Sequence, residues 1–122
     1  QAPKFWLNKQ PPLTTFGNST NRRTYAAMVE QLDFAVGKVV DALNSTNMWL
    51  NSVLIVSADN GGIEPGGFNY PLRGEKATLW EGGMRANGFV ASPLLRGGFE
   101  YRGLVHVSDW YVESGIVLES HC

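Results

Sequence analysis

The sequence predicts an α/β fold. Three observations carry that expectation: a long amphipathic helical repeat in the first half, a short β-branched apolar run just after it, and a glycine-rich stretch opening on polar residues. Helix, short loop and buried strand make the basic unit of α/β domains. The composition agrees, since 43% hydrophobic and 17% charged residues suit a folded core rather than a disordered chain.

Residues 1–21 carry Pro3, Pro11 and Pro12 among many polar side chains. They predict an irregular lead-in. Over residues 23–43 the periodicity becomes helical. Tyr25, Met28, Val29, Leu32, Ala35, Val36, Val39, Val40 and Leu43 recur at three- and four-residue steps. Glu30, Asp33, Lys38 and Asp41 populate the other side, and Asn44 to Asn47 supply polar stop residues. Gly37 costs about 1 kcal/mol in a helix interior, which points to close packing there.

Val53 to Val56 form a continuous apolar run suited to a strand buried on both faces of a parallel sheet. From Gly61 to Gly74 the glycines, with Pro65 and Pro71, predict a long loop. Residues 87–92 suggest a second short strand and residues 104–107 a third. Asp109 is placed to cap a short helix from Trp110 onward.

The formal net charge of −1 predicts no broad attraction to nucleic acid or membrane surfaces. No apolar run is long enough to span a bilayer. The single cysteine, Cys122, leaves no internal disulfide. Asn18-Ser19-Thr20 and Asn44-Ser45-Thr46 are N-glycosylation acceptor patterns, making Asn18 and Asn44 candidate glycan sites on a secretory route.

Chemistry centres on Ser57-Ala58-Asp59-Asn60-Gly61-Gly62, at the exit of the apolar strand. Ligands of open α/β sheets sit at the carboxyl ends of strands. A carboxylate and an amide carbonyl offer hard oxygens suited to Ca²⁺ or Mg²⁺. Asp-Asn-Gly is equally good turn chemistry, so the residues alone leave both readings open. Lys76, Arg73 and Arg85 are candidates to meet an anion, or are solvated surface cations. Glu81-Gly82-Gly83 reads as a tight turn whose carboxylate accepts local hydrogen bonds. His106 reads as a structural histidine. A hydrolytic triad of Ser108, His106 and Asp109 is disfavoured, because near neighbours on one strand point to opposite faces and no G-x-S-x-G is present. His121 stands in the final dipeptide. There is no Walker loop, dinucleotide fingerprint, H-E-x-x-H or paired C-x-x-C.

Several blocks resemble the sulfatase family. They are the helix run from Tyr25 to Asp33, Ser57 to Gly62, Pro71-Leu72-Arg73-Gly74-Glu75-Lys76, Leu79-Trp80-Glu81-Gly82-Gly83-Met84-Arg85, Gly88 to Leu95, and His106-Val107-Ser108-Asp109-Trp110. Together they are most similar to the arylsulfatase B group, the N-acetylgalactosamine 4-sulfatase type. The resemblance implies a fragment of an alkaline-phosphatase-like α/β domain with an incomplete sheet. Residues 1–111 would be part of the catalytic domain, and 112–122 a divergent tail, since relatives follow the Asp-Trp pair with a proline-threonine step.

The family hydrolyses sulfate esters with Ca²⁺ and a formylglycine made from cysteine. Carried over by position, Asp59 and Asn60 are calcium ligands and Lys76 contacts the sulfate. The implied substrate is a sulfated small molecule or glycan, and the parent protein is lysosomal or secreted. The C-x-P-S-R type nucleophile motif, the first aspartate pair, the catalytic lysine-histidine pair and a further active-site histidine have no counterpart in these 122 residues. Gln1-Ala2-Pro3 resembles the end of a segment just past that histidine. The expectation is therefore a sulfatase segment that shares calcium with absent ligands and is inactive and aggregation-prone alone. Two alternatives are a non-catalytic module binding sulfated glycans and a phosphoryl-transfer relative of the same superfamily.

Overall fold

The computed structural model describes residues 4–95, 97–98 and 100–110. Its elements are helix α1 (Lys4–Lys9), a 3-10 turn at Leu13–Phe16, helix α2 (Thr20–Ser45), a second 3-10 turn at Trp49–Asn51, strand β1 (Leu54–Ser57), helical turn α3 (Glu81–Met84) and strand β2 (Gly88–Ala91).

Helix α2 is longer at both ends than the periodicity predicts. Ser19 is its N-cap, with the hydroxyl accepting from the Arg22 amide at 3.3 Å. A serine there satisfies one of the orphan donors of the first turn. The other end closes by a Schellman motif: the Met48 amide donates to the Leu43 carbonyl at 2.9 Å, and the Asn47 amide to the Asn44 carbonyl at 3.1 Å. Asn47 takes the left-handed position, at φ 58°. Asparagine tolerates that region better than most side chains, so the helix ends without a glycine.

The lead-in is more ordered than its prolines suggest. Phe5, Trp6 and Leu7 form part of α1, which docks on α2. The Trp6 and Phe34 rings lie 5.4 Å apart, the Arg23 guanidinium donates to the Leu7 carbonyl at 3.0 Å, and the Gln10 amide meets the Glu30 carboxylate. This contact uses the side of α2 that carries Glu30 and Phe34. The apolar stripe lies elsewhere on the helix and stays open: Tyr25, Met28, Val29, Leu32 and Val39 are 46–59% exposed. Among the described residues Ala27 is the buried hydrophobic one. Gly37 has open space around it, contrary to the close packing expected.

The two strands pair antiparallel, Leu54 with Ala91 and Ser57 with Gly88. This corrects the parallel expectation. The chain leaves β1, folds back on itself through residues 58–87 and re-enters beside Ser57. Burial alternates along β1, with Leu54 and Val56 half-buried and Ile55 and Ser57 exposed. The strand is therefore covered on one face at most, not on two. Residues 104–107 form no strand. They lead into a turn whose helical residues begin at Asp109, and the expected helix beyond Trp110 lies outside the described residues, as do His121 and Cys122.

Candidate functional site

Residues 58–87 leave β1 at its carboxyl end and return at the start of β2. The Ala58 amide donates to the Asn87 carbonyl at 2.9 Å and closes the base of this excursion. Inside it, three backbone segments meet. Gly61 donates to Gly83 at 2.9 Å, Lys76 to Gly62 at 3.0 Å and Gly82 to Arg73 at 2.7 Å.

The glycines are required by proximity. A Cβ on Gly61 would overlap the Gly82 carbonyl, one on Gly82 the Gly74 carbonyl, and one on Gly83 the Thr78 carbonyl. A Cβ on Gly67 would stand 2.7 Å from the Gly62 Cα. Only Gly74 in this group also needs its freedom of φ, at +88°. The expected long loop is therefore a backbone knot, and Glu81-Gly82-Gly83 is a helical turn within it. Gly82 and Gly83 are buried, while the Glu81 carboxylate forms an exposed pair with Arg85 at 3.8 Å.

Asp59 and Asn60 form a bend directly after β1. The exposed Asp59 carboxylate has no hydrogen bond or ion pair with the described residues. Asn60 is half-buried, and its Nδ2 donates to the Gly61 carbonyl at 2.9 Å. That bond fixes the amide by its nitrogen and leaves Oδ1 as the atom that can ligate.

The three basic candidates separate. The Arg73 guanidinium stacks on Trp80, 3.7 Å from the ring centroid, and Arg85 has Glu81. The Lys76 ammonium is exposed and unengaged among the described residues, although its main chain is bonded to the Asp59–Gly62 loop. Ala77, just after it, sits at φ 69°, an uncommon region for a residue with a Cβ.

Asn69 escaped the sequence reading. It is half-buried, and its side chain makes three bonds: Oδ1 accepts from the Gly62 amide at 2.8 Å, and Nδ2 donates to Gly62 and Gly74 carbonyls at 2.9 and 3.1 Å. The only advance signal was an amide side chain, donor and acceptor at once, inside a glycine-rich segment.

His106, Ser108 and Asp109 do meet, because the segment turns rather than running as a strand. His106 Nδ1 lies 2.8 Å from Ser108 Oγ. Asp109 Oδ2, however, accepts from the His106 main-chain amide at 2.7 Å, not from the ring. The carboxylate braces a turn and does not orient an imidazole, so the arrangement lacks triad logic. Asn18, at φ 60°, and Asn44 are both exposed, one just before α2 and one in its last turn.

A cavity of about 170 Å³ beside Asn60 is lined by Tyr25, Phe68, Asn69, Arg85 and Asn87 among others, and an open hollow of about 500 Å³ by Phe68, Tyr70, Arg73, Glu75 and Trp80 among others. Neither is lined by Asp59 or Lys76.

The sulfatase family matches residues 3–111. The chain belongs to the sulfatase family. It is 54% identical over 93 residues to arylsulfatase J of Mus musculus, covering 75% of this chain and 16% of that protein. It is 38% identical over 89 residues to a sulfatase of Formosa agariphila, covering 66% and 14%. A crystal structure of Ps i-CgsB in complex with k-i-k-neocarrahexaose superposes with a TM-score of 0.64 at 33% identity, covering 76% of this chain and 20% of that one. The chain thus spans about one sixth or less of the curated relatives described. Its fold is part of the family's α/β domain, with a two-stranded sheet.

The family implies calcium. By donor chemistry Asp59 and Asn60 fit it, as a charged and a neutral hard oxygen. By number they do not complete a shell: calcium takes about six to eight oxygens, and no group of three or more His, Cys, Asp or Glu side chains among the described residues is arranged to hold a metal.

Proposed function

We propose that this chain is the segment of a calcium-dependent sulfatase that supplies part of the metal shell and one sulfate contact. The bond from the Lys76 amide to the Gly62 carbonyl, 3.0 Å, carries the reading. It seats an ammonium and a carboxylate, both unengaged among the described residues, on the same backbone knot. Asp59 contributes charge to the cation and Asn60 a neutral carbonyl oxygen. Calcium bound there would polarise a sulfate oxygen. Lys76 would neutralise charge on the sulfate as the ester bond breaks, a role in which preorganised cations are effective.

The substrate is a sulfated small molecule or glycan. The complex of Ps i-CgsB with a neocarrahexaose supports the glycan. Placement beside arylsulfatase B, a lysosomal or secreted parent and glycans on Asn18 and Asn44 belong to the same proposal. So does the division into a partial catalytic domain, residues 1–111, and a divergent tail, 112–122. The 122 residues hold no C-x-P-S-R nucleophile motif, and on this proposal they supply two of the calcium ligands. The chain alone is therefore inactive.

The test is replacement. The stretch of mouse arylsulfatase J that matches this chain is exchanged for this chain's residues, and turnover of a chromogenic aryl sulfate is followed. Turnover that is lost on chelation, and lost again in Asp59→Ala and Lys76→Ala, supports the reading. Undiminished rates in both variants overturn it, and robust turnover by the 122-residue chain alone overturns the inactivity.

A further inference from the structure

The structure assigns Asn69 as a positioning residue that sets Lys76 against the Asp59–Asn60 loop. This rests on the proposed roles of Asp59, Asn60 and Lys76.

The geometry is specific. Gly62 is two residues past Asn60, and both its main-chain polar groups bond the Asn69 amide, at 2.8 Å from its N–H and 2.9 Å to its carbonyl. The same Nδ2 reaches the Gly74 carbonyl at 3.1 Å. Gly74 is two residues before Lys76, whose own amide donates to the Gly62 carbonyl at 3.0 Å. One half-buried side chain thus ties together the backbone on which the metal ligands and the sulfate contact are mounted.

The bonds need an amide. Oδ1 must accept from an N–H while Nδ2 donates to two carbonyls. Aspartate keeps the first bond but sets a carboxylate against two carbonyl oxygens. Serine is too short to span both glycines.

Two neighbouring facts make the spacing consequential. The Thr78 hydroxyl braces the turn after Lys76, accepting from the Glu75 amide at 3.1 Å and donating to the Glu75 carbonyl at 2.7 Å. Ala77 at φ 69° holds that turn in a region costly for a side-chain-bearing residue. A strained turn keeps its shape only while its surroundings over-determine it, and Asn69 is part of those surroundings.

The experiment uses the same arylsulfatase J exchange protein, with Asn69→Asp and Asn69→Ser beside Asp59→Ala and Lys76→Ala. Soluble, folded protein is isolated, and KM, kcat and the calcium concentration for half-maximal rate are measured on it. Positioning predicts that both Asn69 variants lower kcat/KM by about ten- to a hundredfold, with KM raised, and that Asp is worse than Ser. A merely structural residue would reduce the yield and the melting temperature while leaving KM and the calcium dependence of the folded fraction unchanged, and that result overturns the assignment. Should neither variant fold, native KM and calcium dependence in the milder Asn69→Gln would overturn it equally. If Asp59→Ala and Lys76→Ala are themselves silent, the functional reading fails first, and the result is distinguishable from failure at Asn69 alone.

Discussion

Two glycines in this chain should respond to alanine with opposite sign. In Gly61→Ala the new methyl would overlap the Gly82 carbonyl. That carbonyl cannot retreat freely, because the Gly82 amide is held to Arg73 at 2.7 Å and the Gly61 amide to Gly83 at 2.9 Å. Relief requires separating the segments. Overpacking costs about 1–3 kcal/mol, and each backbone bond lost adds about 1 kcal/mol. The knot should loosen by roughly 3 kcal/mol, or about a hundredfold in opening equilibrium. Gly37 has nothing within 4 Å of its would-be Cβ and lies inside α2. Gly37→Ala should stabilise the helix by about 0.5–1 kcal/mol. Hydrogen exchange read by mass spectrometry at low micromolar concentration separates the two. Peptides containing the Lys76, Gly82 and Gly83 amides should lose protection in Gly61→Ala, while peptides from the middle of α2 gain it in Gly37→Ala. Unprotected amides in the parent knot, or unchanged protection in Gly61→Ala, would refute the close-packing argument.

Ser19→Ala removes the α2 cap but keeps the Asn18 acceptor pattern, since Thr20 remains. It should cost about 1 kcal/mol, read as a lower urea midpoint for helical ellipticity, with glycosylation unchanged. Arg85→Ala removes an exposed pair with Glu81 and should shift stability by less than about 0.5 kcal/mol in the same titration. Expressed through a secretory route, the chain should lose one glycan's mobility shift in each of Asn18→Gln and Asn44→Gln, checked by gel mobility before and after enzymatic deglycosylation.

What was legible in the sequence was local. Helix α2 announced itself because its stripe repeats at helical steps through five turns or so. Strand β1 announced itself by β-branched residues between polar stops. The direction of strand pairing was not legible, because nothing in Val53 to Val56 encodes which segment returns beside it. That depends on how residues 58–87 fold back, through bonds between main-chain atoms. The same reason hid α1, whose place comes from Trp6 meeting Phe34 rather than from its own short sequence between flanking prolines. The apolar run from Leu104 to Val107 misled because the segment turns at Val107 and Ser108, bringing Asp109 back to the His106 main chain.

The candidate site was half legible for a related reason. Asp59, Asn60 and Lys76 are visible as residue types with a chemistry, and their separation in sequence says nothing of how their segments are joined. The segments that carry them are joined through glycines and Asn69, which carry no reactive group. A Gly-rich stretch read from composition means flexibility. Read from the structure it means the reverse, since Gly61, Gly82 and Gly83 are places where two backbones pass too closely for a Cβ. Rigidity of this kind suits the proposed site, whose carboxylate and ammonium stand on segments joined by main-chain bonds. Asp59 and Lys76 are both exposed and neither has a charged partner among the described residues. Flexible loops carrying opposite charges would be free to collapse into an ion pair. A knot fixed by backbone bonds limits that collapse, which is what the proposed roles of Asp59 toward a cation and Lys76 toward an anion require.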